Sequence, residues 1–247
     1  MSFIYRINRT LLGDYSEVGL NNLRVRQEWV KKKLAELKPG LKILDAGAGQ
    51  CQYKSYCAHL DYVSQDFAQY DGRGDGSGIQ TQTWDYSAID IVSDVLDIPL
   101  VDQSMDAVLC TEVLEHVPNP IAALKEFSRI LKPGGQLILT APFCSITHFA
   151  PYHFATGFNR YFYEHWTEHF GLSIMEIDFN GNYFEFLAQE LHYVNTAADR
   201  YAPNVKRGLF FELARRLLLS TLKRLSKQGN DSKELLSFGL HIHAQKL

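Results

Sequence analysis

Ile43-Leu44-Asp45-Ala46-Gly47-Ala48-Gly49 constrains the fold more than any other stretch, because apolar residues lead straight into an acid and then a Gly-x-Gly turn. That order suits a parallel strand whose carboxyl end turns sharply beside a nucleotide-like ligand. Glycine lets the backbone turn and approach a ligand where any Cβ would collide. Asp45 could accept hydrogen bonds there or face a positive charge. A plain Gly-rich turn would read the same way, so the other strand ends have to decide.

The rest of the chain supplies those ends in a regular order. Leu23, Val25, Trp29, Val30, Leu34 and Leu37 recur at helical spacing from Asn22 to Leu37, and Pro39-Gly40 stops them. After the first strand, 52–60 reads as a short helix and 61–66 as a second strand ending in Asp66. Residues 71–78 (DGRGDGSG) carry four glycines in eight and form a loop, shaped for a ligand or merely flexible. Residues 89–94 read as a third strand and 105–111 (MDAVLCT) as a buried fourth. Asn119-Pro120 opens a helix with an N-cap and a proline at the first helical position, lined by Ile121, Leu124, Phe127, Ile130 and Leu131. Pro133-Gly134-Gly135 ends it, and 136–140 (QLILT) is a fifth strand. A sixth is expected at 173–179 and a seventh at 240–246.

Strands alternating with helices at such intervals predict an α/β, Rossmann-like doubly wound sheet of about seven strands. It is mostly parallel with an antiparallel last strand and has helices on both faces. The expected organisation is one domain over 1–247: a helical cap (1–40), a cofactor-binding core (41–180) with an acceptor-side lid near 145–170, a helical insertion (181–237) and the last strand (238–247). Its ligand should lie outside the carboxyl ends of the strands. A dinucleotide fingerprint would need a third glycine at 52, where Gln52 stands, and this disfavours a nicotinamide oxidoreductase. Acids instead stand at two further strand ends, Asp66 and Asp94. The first can take both hydroxyls of a ribose and the second an adenine amino group.

With these residues in order, the chain resembles the class I S-adenosylmethionine-dependent methyltransferases over roughly 40–145. LDAGAGQ (44–50) is similar to that family's first motif, and the resemblance implies that Asp45, Ala46, Gly47, Gly49 and Tyr53 border S-adenosylmethionine. Asp66 followed by Phe67 resembles the ribose-binding acid; Gln65 or Asp71 could share that role, although Asp71 and Asp75 suit turn stabilisation better. SDVLDIP (93–99) is similar to the adenine-edge motif, implying Asp94 and the Val95 backbone there. MDAVLCTEVLEHV (105–117) resembles the fourth strand and its loop, which would bring Thr111, Glu112 and His116 to the methionine end. LKPGGQLILTAP (131–142) matches the family's fifth-strand region.

Methyl transfer from a sulfonium is an in-line displacement that needs alignment more than covalent help, and an acceptor hydroxyl benefits from a base. The segment after the fifth strand alternates polar tips with aromatic bodies. There His148 and His153 are candidate bases, with packed lid residues as the plain alternative, and Tyr152, Arg160 and Tyr161 are candidate substrate-positioning groups. Residues 151–166 and 180–191 resemble a subgroup described only as methyltransferases, often found alongside glycan biosynthesis, so a small molecule or a glycan precursor is the expected acceptor. A non-catalytic cofactor-binding partner of the same fold is the competing class.

Composition removes other classes. The net charge of −3 and a fourth-strand loop reading Thr111-Glu112-Val113-Leu114 argue against a nucleic-acid substrate. Cys51, Cys57, Cys110 and Cys144 have no metal-site spacing, and no metal is expected. Residues 1–15 lack an apolar leader core, which with reduced cysteines suggests a cytoplasmic protein. From Leu209 to Leu225, Leu213, Leu217, Leu218, Leu222 and Leu225 oppose Arg215, Arg216, Lys223 and Arg224. This amphipathic stretch, within 205–228, is expected to pack on the domain or a second subunit, or to rest on an anionic membrane surface.

Overall fold

The computed structural model describes residues 17–81 and 83–247. The first part of the expected cap and the leader reading, both within residues 1–16, lie outside them. A seven-stranded sheet is formed by β1 (Lys42–Ala46), β2 (Asp61–Asp66), β3 (Ile91–Val92), β4 (Met105–Thr111), β5 (Leu131–Pro142), β6 (Leu172–Asn180) and β7 (Gly239–Lys246). Its order is β3-β2-β1-β4-β5-β7-β6. β1 pairs in parallel with both β2 and β4, β5 in parallel with β4, and β7 antiparallel to β5. The chain order reverses at β1, which places a crevice beyond the carboxyl ends of β1 and β4.

The helices are α1 (Asn22–Glu36), α2 (Pro120–Ile130), α3 (Arg160–His169), α4 (Tyr183–Tyr201) and α5 (Leu209–Ser226). α2 starts where the sequence indicates: the Asn119 side chain accepts from Ala122 N and Pro120 takes the first turn. It ends at Ile130, earlier than expected. Lys132 precedes Pro133, whose ring disfavours helical backbone before it, and Leu131 is already extended at φ −70° and ψ 134°. Residues 131–135 thus belong to β5. The third strand shrinks from the expected 89–94 to two residues, because the Asp90 carboxylate accepts from Ser64 N at 2.9 Å and so replaces a ladder bond. The short helix expected at 52–60 is a 3-10 turn, Lys54–Cys57.

The chain divides into two compact units, so the segment up to Glu36 is shared between them. Residues 26–178 with 239–247 make the sheet unit. In its core Trp29, Val30, Leu34 and Leu37 pack with Ile43, Tyr53, Ala107, Leu109 and Ile138. Residues 17–25 with 179–238 make the other, where Val18, Ala188 and Leu219 are buried together. Asn182 caps α4 by accepting from Phe184 N and Glu185 N, and its amide donates to Ser226 O at 3.1 Å, tying α4 to the end of α5. α5 turns Leu219 inward but leaves Phe210 88% exposed and Leu217, Leu218 and Leu225 exposed as well. Among the described residues no helix is long and apolar enough to cross a membrane.

Candidate active site

The glycine loop is fastened to the end of β2. Gly47 N and Ala48 N donate to Gln65 O at 2.8 and 2.9 Å, and Gly49 N donates to Asp66 Oδ2 at 2.9 Å. Gly47 stands at φ +73°, and a Cβ there would lie 2.3 Å from Val113 Cγ2. One at Gly49 (φ +54°) would lie 2.9 Å from Trp84 Cζ2. Neither position admits a side chain, so the turn lies tightly between the loop after β4 and an indole.

The acids divide by environment. Asp45 is buried, with its Oδ2 accepting from the Tyr62 hydroxyl at 2.6 Å. Burial pushes its carboxyl up to about 7, against the Tyr62 bond, and nearby Asp66 adds to the rise. It therefore anchors the base of the turn. Asp66 accepts from Gly49 N and, through Oδ1, from Ala68 N at 2.9 Å; desolvation raises its pKa against these bonds. Because Ala46 is in register with Gln65, Asp66 is the residue one step beyond β1's end. Gln65 reaches the third strand end by donating to Ser93 O at 2.7 Å. Asp94 is exposed and accepts from Leu96 N at 2.9 Å, with Val95 buried beside it. Asp71 accepts from Arg73 N and Gly74 N, and Asp75 from Ser77 N, which is turn stabilisation. Tyr53 belongs to the core, where burial drives its phenol up to about 12.

The loop after β4 carries the next group. Thr111 is buried at the strand end, and Glu112 turns at φ +54°. Its carboxylate accepts from Thr140 Oγ1 at 2.9 Å and pairs with Arg26 Nη1 at 2.6 Å. In the 3-10 turn Leu114–His116, Glu115 is wholly buried and neither carboxylate oxygen has a hydrogen-bond partner. His116 Nδ1 lies 2.5 Å from Tyr152 O. Desolvation first, and the neighbouring His148 next, depress His116 to about 3, so it is neutral at working pH.

Over this floor lies residues 143–158, a loop closed at its base by Phe158 N donating to Pro142 O at 2.9 Å. Phe154 N and Ala155 N both donate to Glu115 O, at 2.9 and 3.2 Å. Two of its imidazoles meet the one from the turn below: His148 lies 4.6 Å from His116 and 4.8 Å from His153, ring centre to ring centre. His153 Nε2 is 3.2 Å from Ser145 Oγ, and burial together with His148 lowers its pKa. The Gly-rich 71–78 loop, left open by composition, docks on this lid. Asp75 N donates to Ala150 O at 3.1 Å and Ile79 N to Thr147 O at 2.9 Å, with Phe149 N returning to Ile79 O at 3.0 Å.

Sequence reasoning missed an aromatic wall. Trp84 packs with Tyr70 (5.6 Å), Tyr86 (6.3 Å) and Phe149 (5.3 Å), and Phe149 stacks on His116 at 5.1 Å. It runs from the glycine turn to the histidines and suits the flat face of a base or a sulfonium cation. Trp84 Nε1 is buried without a partner, a donor available to a ligand. The aromatic run Trp84-Asp85-Tyr86 was the signal. Tyr152 joins from the lid, edge-on to Phe67 at 5.0 Å. Arg160 and Tyr161 sit at the start of α3, the guanidinium 4.7 Å from the Tyr161 ring, which is 61% exposed, and 3.7 Å from Glu164. The structure thus brings together the glycine turn, Asp66, the strand-three end and the histidine lid, while Tyr161 faces solvent.

Comparison with known proteins places this arrangement. A family model described as a methyltransferase domain (Methyltransf_11) matches residues 44–139. A demethylmenaquinone methyltransferase of Corynebacterium glutamicum is 31% identical over 121 residues, 46% of each chain, so the protein spans about half the length of this relative. A ubiquinone biosynthesis O-methyltransferase of Xanthomonas oryzae is 57% identical over 37 residues, 15% of this chain and 16% of the relative. A SAM-dependent methyltransferase from Archaeoglobus fulgidus superposes with a TM-score of 0.55 at 12% identity, covering 99% of this chain and 100% of that one. Residues 44–139 are thus similar to the methyltransferase-domain family, and the fold of the chain is like that of a solved SAM-dependent methyltransferase.

Proposed function

We propose that the protein binds S-adenosylmethionine across the glycine turn and transfers its methyl group to a hydroxyl of a small molecule or a sugar or glycan precursor. The observation that carries this reading is the gathering of His148 and His153 from the lid with His116 from the loop after β4, the aromatic wall leading to them from Gly49. In-line transfer gains most from alignment, about 7–11 kcal/mol, and the wall and lid would provide the surfaces that align donor and acceptor. Asp66, Gln65 and Asp94 are assigned to the ribose and adenine end. His153 is assigned as the base: its lowered pKa keeps it neutral near pH 7 and able to accept the hydroxyl proton. The names of the two relatives favour a second acceptor class, quinones and their biosynthetic precursors, on the same site.

Calorimetry should show one equivalent of S-adenosylmethionine bound, weakened at least tenfold by Trp84→Ala. S-adenosylhomocysteine release should follow with one acceptor class among sugar, phenolic and quinone-precursor hydroxyls. His153→Ala should lower kcat by about 10²–10⁴-fold with cofactor affinity unchanged. Absence of cofactor binding by the wild type would sink the reading, and binding without turnover on any hydroxyl would favour a non-catalytic partner.

A further inference from the structure

Glu115 presents an unusual balance. Its carboxylate is wholly buried, and neither oxygen has a hydrogen-bond partner. His116 Nε2 lies 3.7 Å from Glu115 Oε1 and His148 Nε2 lies 4.0 Å from it. Both rings are oriented by backbone carbonyls: His116 Nδ1 meets Tyr152 O at 2.5 Å and His148 Nδ1 meets Ile146 O at 2.9 Å. A carbonyl oxygen only accepts, so each Nδ1 carries the proton and each Nε2 turns a lone pair toward the carboxylate. His116 Nε2 is itself buried without a partner. One ligand atom from each of Glu115, His116 and His148 falls within 4.8 Å of the others.

We infer that Glu115, His116 and His148 form a binding site for a divalent first-row transition metal of the zinc or iron type. Three lone-pair donors facing one buried point are repelled there unless a cation holds them or the carboxyl takes up a proton, which its burial favours, since burying an unpaired carboxylate is costly. Separations of 3.7 and 4.0 Å exceed a hydrogen bond, so a shared proton does not satisfy the set. Ligation at about 2.0–2.2 Å from each atom needs only a modest contraction of the triangle. The Nδ1–H to carbonyl bonds are the outer contacts that fix the tautomer and aim of metal-bound imidazoles. Two imidazoles with one carboxylate select transition metals over magnesium or calcium. Glu112 is outside the set, because Arg26 and Thr140 already occupy its oxygens. The fastening of Phe154 N and Ala155 N to Glu115 O keeps the lid, and with it His148, over the carboxylate. Three protein ligands leave coordination positions open, as in reactive rather than purely structural sites. On the methyl-transfer reading above, an acceptor oxygen bound there would lose its proton more readily, with His153 beside it.

The test uses the full, untagged chain stripped with a chelator and titrated with Zn²⁺, then with Co²⁺ for its visible ligand-field bands, without S-adenosylmethionine. One equivalent should bind, and Glu115→Gln and His148→Ala should each weaken binding at least 100-fold with unchanged circular dichroism. Mg²⁺ should not compete. Lack of one-to-one binding by the wild type, or affinity preserved in both folded variants, overturns the site. Because the readout is metal binding, metal bound by a chain that transfers no methyl group would uphold this site while removing the function proposed above.

Discussion

Gly47 is required for two separable reasons, a left-handed backbone and a near contact, and a matched pair of variants can divide them. Gly40 stands at φ +80° with nothing within 4 Å of a Cβ, whereas Gly47, at φ +73°, has Val113 Cγ2 at 2.3 Å. Gly40→Ala should cost only the left-handed penalty, about 1–2 kcal/mol. Gly47→Ala adds overpacking of about 1–3 kcal/mol and displaces Val113 from the loop that carries Glu112 and Glu115. Urea unfolding followed by tryptophan fluorescence gives both values. Equal losses would mean that Val113 yields freely and that close packing of the turn is not needed. The same residue shows what sequence can and cannot reveal. Its need for glycine was legible from the strand–acid–Gly-x-Gly order. Its partner was not, because Val113 lies 66 positions away and a single valine in an apolar loop carries no pattern.

At the scale of elements, the segments read most accurately were those with a local cause. β4 carries the apolar run at 107–110, which needs no partner to declare it, and Asn119 fixes the start of α2 by its own side-chain hydrogen bond. Segments decided by distant atoms were misjudged: β3 is shortened by the Asp90 side chain, and Trp84 joins the site only through Phe149 and Tyr70 from other loops. The 71–78 loop belongs with these. Two of its four glycines are explained by contact with the lid, since a Cβ would fall 1.9 Å from Ala150 O at Gly74 and 2.3 Å from Thr147 O at Gly78. At Gly76, also at positive φ, a Cβ would meet nothing within 4 Å. Gly78→Ala should therefore part the two loops and speed amide exchange at Ile79 and Phe149 at least tenfold, while Gly76→Ala leaves both amides protected. Equal exchange in the two variants would show that the docking is not set by glycine. The loop is thus a brace for the histidine lid, a role composition could not distinguish from flexibility.

Over the molecule as a whole, buried ionisable groups give the sheet unit opposing pH dependences. Asp45, raised to about 7, contributes stability that is full below the ordinary carboxylate range and lost as pH rises through 7. His241 acts the other way. It is buried against Trp29 at 5.0 Å with neither ring nitrogen bonded, and desolvation first, then the Arg26 charge, depress it to about 4. Its stabilising contribution is present above 6.5 and lost as pH falls toward 4, because the unfolded chain takes up the proton first. Between pH 7.5 and pH 5 that loss is on the order of 2 kcal/mol, about 4–8 °C in Tm for a chain of this size. His241→Phe keeps a ring against Trp29 and removes the proton site. Its Tm should fall less than that of the wild type on acidification from pH 7.5 to 5, by about that margin, while Asp45 contributes equally to both proteins and cancels. Trp29, Trp84 and Trp166 all lie in residues 26–178, so tryptophan fluorescence reports the unit that holds His241 and the glycine turn. Parallel Tm curves for the two proteins would show that His241 is not held neutral, and that the acid sensitivity of the sheet unit has another origin.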